Sequence, residues 1–104
     1  MATDLSTQTV PFAYRITLGD ADDLTAVTLP GVAYKLSIQF VSNAGKIAFT
    51  GTDGSAIGSH YASVAADSWA ELAWRGGATA PQSVIYLASG TGSTVVELLA
   101  EVRS

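Results

Sequence analysis

Apolar and polar residues alternate with a two-residue period along most of this chain, and turn-forming residues break the rhythm about every ten positions. Phe12, Tyr14, Ile16 and Leu18 fall on one face of a stretch that ends at Gly19-Asp20, and the Thr- and Val-rich stretch Leu24 to Leu29 stops at Pro30-Gly31. Tyr34, Leu36, Ile38 and Phe40 alternate with Lys35, Ser37 and Gln39, the clearest strand signature in the sequence. After Ser42-Asn43-Ala44-Gly45 the rhythm resumes with Ile47 and Phe49, which predicts a hairpin between these two strands. Asp53-Gly54 and Gly58 place turns in mid-chain, and His60 to Val64 reads as a short strand.

Further on, Ala70, Leu72 and Trp74 alternate with Trp69, Glu71 and Ala73 before Gly76-Gly77. Val84 to Ala88 is an apolar run suited to a sheet buried on both sides. The segment Thr94 to Val102 contains good helix formers at Glu97 to Glu101, but its β-branched start and the alternation of Val96, Leu98, Ala100 and Val102 predict a strand. Seven or eight short strands and no sustained helical period make the chain all-β: an antiparallel β-sandwich, a jelly roll or a small barrel. Residues 1–10 read as an extended N-terminal arm, and 11–104 as a single β-sandwich domain.

Composition changes the picture in one respect. Of 104 residues, 48% are hydrophobic and only 13% are charged, against about 25% charged in an average soluble domain. Ala, Ser, Thr and Gly take the place of charges, which suits a surface packed against copies of itself or a partner. Five basic residues without a cluster and a net charge of −4 argue against nucleic acid or an anionic membrane as partner. With no cysteine there is no disulfide and no thiolate metal site. Met1 to Thr9 is polar and lacks the pattern of a secretory signal, so a cytosolic site of synthesis is expected.

Candidate chemistry is sparse. His60 is the one histidine, and no G-x-S-x-G elbow accompanies it, so a surface histidine is the expected reading. Asp20, Asp22 and Asp23 could attract a hard cation, but their spacing departs from a calcium loop and an acidic turn is expected. The glycine-bearing stretches Gly51 to Ser55 and Gly90 to Ser93 have no basic residue or helix to make a phosphate cradle. Glu71, Glu97 and Glu101 read as the wet sides of strands rather than a glycosidase pair. Trp69, Trp74, Tyr14, Tyr34, Tyr61 and Tyr86 could form a stacking platform for sugars, or serve as core and subunit contacts. Trp69 and Trp74, five apart, face opposite sides of a regular strand. No catalytic residue, metal site or cofactor is expected.

The segments KLSIQFVSNAGKIAFTGTDGSAIG (35–58), SWAELAW (68–74) and SVIYLASGTGSTVVELLAEV (83–102) resemble small virion structural proteins of tailed bacteriophages, most of all capsid decoration (cement) proteins. The resemblance implies a jelly-roll-like sandwich, a homotrimer that sits on the outer shell where major capsid subunits meet and reinforces it, assembled in the host cytoplasm. It implies no active site. Leu5, Val10, Phe12, Trp69 and Trp74 are the residues expected at protein contacts. The alternatives are a carbohydrate-binding β-sandwich module and a small tail or fibre component.

Overall fold

The computed structural model describes residues 2–31, 33–75 and 83–101, and the expected Gly76-Gly77 turn lies outside them. The two-residue rhythm is realised as β1 (Thr3–Asp4), β2 (Phe12–Thr17), β3 (Thr25–Leu29), β4 (Ala33–Val41), β5 (Gly45–Ala48), β6 (Ala62–Val64), β7 (Trp69–Arg75), β8 (Ser83–Ser89) and β9 (Val95–Glu101). There is no helix among the described residues. The segment with helix-forming composition, Glu97 to Glu101, is strand, because it fills the middle of a sheet between β2 and β4.

The strands form a five-stranded sheet, β1-β3-β8-β5-β6, and a four-stranded sheet, β2-β9-β4-β7. Strand pairing is nested: β2 with β9, β3 with β8, β4 with β7 and β5 with β6. This is one long antiparallel ribbon, folded back between β5 and β6, whose successive pairs alternate between the sheets. The β4–β9 and β5–β8 ladders then close the roll. The eight strands β2 to β9 thus have jelly-roll order within a β-sandwich.

The expected hairpin between β4 and β5 is absent, since β4 and β5 lie in different sheets and Ser42 to Ala44 cross between them. The turn residues were legible, but the direction of the turn is set by packing across it. A Cβ on Gly45 would overlap the ring of Phe40, so only glycine lets the chain arch over that side chain.

Tyr34, Leu36, Ile38 and Phe40 on β4, Val96, Leu98 and Ala100 on β9, and Val27, Leu29, Ile85 and Leu87 opposite them form the core, each at most 1% exposed. Burial of the Tyr34 ring leaves its hydroxyl to find a partner, and it donates to the Pro30 carbonyl at 3.1 Å. The same burial pushes the phenol's pKa well above its ordinary value.

The stretch expected as an extended arm is partly stitched into the domain. Thr3 and Asp4 pair in parallel with Val27 and Thr28, and Leu5 is 1% exposed within the core. Two residues are too few to show a periodicity, which is why alternation did not reveal β1.

Four of the connections that cross between the sheets, β2–β3, β4–β5, β6–β7 and β8–β9, each hold one non-glycine residue in left-handed conformation: Asp22, Ser42, Asp67 and Ser93. Such residues cost of order 1–3 kcal/mol each unless local bonds hold them. Here the bonds link one crossing to the next. Ser93 N donates to Gly19 O at 2.9 Å, and Leu18 N to Thr94 O at 2.8 Å. Ser89 Oγ donates to Ala44 O at 2.8 Å, and Ser42 N to the Asp67 carboxylate at 2.8 Å.

Candidate functional site

Residues directly opposite each other in antiparallel strands share a face, so the register of the four-stranded sheet specifies its outer surface. Arg15 lies opposite Glu97, Glu97 opposite Gln39, and Gln39 opposite Trp69, which makes one row across all four strands. The next row is Ala13, Leu99, Ser37 and Glu71. Side chains in the first row are tied together: Arg15 pairs with the Glu97 carboxylate, and Gln39 Nε2 donates to its other oxygen at 3.0 Å. Glu97, half-buried, is the hub. Trp69 ends the row with 48% of its surface exposed.

Between Ala13 and Arg15 on one side and Trp69 on the other runs a groove of about 340 Å³, with Glu97 and Leu99 between them. Small side chains at Ala13 and Ser37 keep this face low, while Trp69 and Arg15 rise from it. The surface combines an aromatic ring, a guanidinium, a carboxylate and an amide within one strip.

A second concave surface, about 490 Å³, lies at the β5–β6 rim between Ile47, Phe49, Ser59, His60 and Tyr61. Phe49 is 57% and Tyr61 41% exposed. Lys46 holds its ammonium 4.9 Å from the centre of the Tyr61 ring, a cation–π contact. The same ammonium lies 3.3 Å from the Asp22 carboxylate. His60 is exposed here, in the loop before β6.

The residues singled out from sequence are distributed as follows. Trp69 stands exposed on the outer groove. Val10 and Phe12 are half-buried against the core, and Leu5 is inside it and unavailable to a partner of the folded chain. Trp74 lies opposite Tyr34 in the β4–β7 ladder, and its side chain lies outside the described residues. A sugar platform built from all the aromatics does not exist, because Tyr34 is fully buried and Tyr61 lies at the β5–β6 rim of the other sheet. Asp20 to Asp23 form a turn closed by Asp23 N donating to Asp20 O at 3.2 Å. Among the described residues no three His, Asp or Glu side chains converge to hold a metal ion. Glu71 faces Lys35 at 3.4 Å and Glu97 faces Arg15.

What sequence reading missed is the row itself. Arg15, Gln39, Trp69 and Glu97 come from four strands, and only the register brings them together.

Comparison of the chain with family models, with curated proteins and with solved structures finds no match.

Proposed function

We propose that this chain is a non-enzymatic structural protein of a virion, a decoration module that adds in several copies to the outside of a phage head and stabilises it. The observation that carries this reading is the contrast between sheet edges. The five-stranded sheet ends in strands of two and three residues, β1 and β6, which offer little to pair with. The four-stranded sheet ends in β2 and β7, six and seven residues long, with no proline within them. Long uncovered edges are templates for another strand, and proteins that remain monomeric blunt them.

Addition of β2 of one copy to β7 of the next is a heterologous contact, which closes into a ring when the rotation permits; a homotrimer is the ring proposed here. Phe12 on β2 and Trp69 on β7 lie on these edges. The β5–β6 rim, with Phe49 and Tyr61 exposed, is then the surface offered to the major capsid protein. A low charge density agrees with a surface buried in use.

Light scattering on the purified chain tests the ring, and sedimentation with expanded capsids tests the docking. A trimer that co-sediments with shells in fixed ratio, and loses this on Phe49→Ala with Tyr61→Ala, supports the reading. A monomer that stays in the supernatant refutes it.

A further inference from the structure

We infer that the outer groove of the four-stranded sheet binds a short neutral carbohydrate, an activity that does not require docking on a capsid. The row Arg15, Glu97 and Gln39 is already held in place by its own bonds, so a ligand meets side chains that have lost their freedom beforehand. A sugar hydroxyl both donates and accepts, and neighbouring hydroxyls need donors and acceptors side by side. The row supplies them. Arg15 has N–H donors beyond the one that meets Glu97, Gln39 keeps its amide carbonyl as acceptor, and the Glu97 oxygens have lone pairs beyond two bonds.

Trp69, next to Gln39 in the same row, adds a flat surface. The electron-rich face of an indole attracts the polarised C–H groups on one side of a sugar ring. Hydrogen bonds from the strip and stacking on the ring are the two contacts that a pyranose, polar at its rim and apolar on its faces, can satisfy together.

Charge selects among ligands. Arg15 and Glu97 cancel, and the chain carries a net charge of −4, so a phosphate or sulfate gains nothing from the site while a neutral polyol loses nothing. Size agrees: the groove's volume of about 340 Å³ lies at the small end of the roughly 300–1,000 Å³ of ligand sites. Three strand spacings, about 14 Å in all, give the row room for a short oligosaccharide.

The test begins with the whole chain, biotinylated and held on streptavidin for avidity, applied to an array of neutral and acidic oligosaccharides. Neutral glycans that bind are then titrated by tryptophan fluorescence. The expected result is a saturable change in emission, with Trp69→Ala and Gln39→Leu each weakening binding about tenfold or more while circular dichroism and the unfolding midpoint stay near wild type. Tyr61→Ala, at the opposite rim, keeps the affinity for glycan whatever it does to capsid binding, so the two readings fail separately. A blank array, a preference for acidic glycans, or a Trp69→Ala variant that binds like wild type overturns the inference. So does a Trp69→Ala variant that only converts an oligomer into monomers, for the groove is then a contact between copies.

Discussion

The two sheets each turn one face outward, and the chain treats those faces differently. On the five-stranded sheet the outward residues Ala48 and Ala88 are 2% and 0% exposed. They are covered from within the chain: the loop after β5 crosses this face, and at Gly51 it passes so close to Leu24 that a Cβ would overlap that side chain and touch Tyr86. The loop is then fastened along the start of β3, with Gly54 N donating to Leu24 O and Leu24 N to Ser55 O, both at 2.8 Å. The Asp53 carboxylate accepts from Ala26 N at 2.9 Å. On the four-stranded sheet the outward face has no such loop across it among the described residues. It carries Trp69, Arg15, Gln39 and Glu97 beside the small residues Ala13 and Ser37. Where the loop closes a face, Ala48 and Ala88 lie buried beside Tyr86, and where no described loop crosses, an aromatic ring, an ion pair and an amide stand together at the surface.

The largest expected effect breaks this contrast on the covered side. Ala88→Leu has no room beneath the loop and is expected to destabilise the fold by about 1–3 kcal/mol, as overpacking does. Thr17→Leu, on the exposed outer side of β2, is expected to stay within about 0.5 kcal/mol. Urea unfolding of both variants measures the difference, and equal losses would mean that the two faces are packed alike.

Next in size is the fastening of the cover. Asp53→Ala removes the acceptor for Ala26 N and is expected to cost about 0.5–1.5 kcal/mol. Amide exchange should quicken over residues 51–57 before it does in β4 or β9. If protection falls equally everywhere, the loop is not a separate cover.

A comparable effect separates both outer faces from the interior through pH. Tyr34 ionises in the unfolded chain near its ordinary value of 10 and at higher pH when folded, because burial disfavours the phenolate. Its contribution is therefore complete below about pH 10 and is lost as pH rises from there. Tyr34→Phe should cost about 1 kcal/mol at neutral pH through loss of the bond to Pro30, and should flatten the alkaline part of the stability curve. Thermal melts from pH 8 to 11 check this, and an unchanged alkaline slope would assign that loss to other groups.

The smallest effect belongs to the open face. Arg15→Ala removes an ion pair at the surface and is expected to change stability by no more than about 1 kcal/mol, a difference that fades in high salt. A larger, salt-insensitive loss would show that this row holds the sheet together rather than presenting itself to a ligand.

The sequence disclosed what depends on neighbours along the chain. Alternation in Tyr34 to Phe40 placed β4, and the β-branched start of Thr94 to Val102 decided strand over helix for β9. It did not disclose what depends on contact across the sandwich. The Ser42 to Gly45 turn looked like a hairpin, since its residues encode a reversal but not whether the chain returns in the same sheet or arches to the other. The fit of Gly45 under Phe40 makes that choice. Leu5 read as a contact residue on an extended arm because one apolar residue in a polar stretch has no period, yet it fills the core beside β3. Of the outer row, Trp69 was singled out as a contact residue and Glu97 as the wet side of a strand, while Gln39 read only as a polar position of β4.

Nested pairing also bears on how the chain is made. β2 pairs only with β9, and β3 has only the two-residue β1 beside it until β8 is made, so the antiparallel ladders of Phe12 to Leu29 must wait for residues 83–101. At roughly 5–20 residues per second the interval between residue 29 and residue 101 is about 4–14 s of translation. Throughout it Val27 and Leu29, which end fully buried, lack their antiparallel mates Ile85 and Ser83, and a chain this poor in charge has little to keep them apart from other nascent chains. Chaperone capture during synthesis, rather than stability once folded, is the step at which this topology is most exposed.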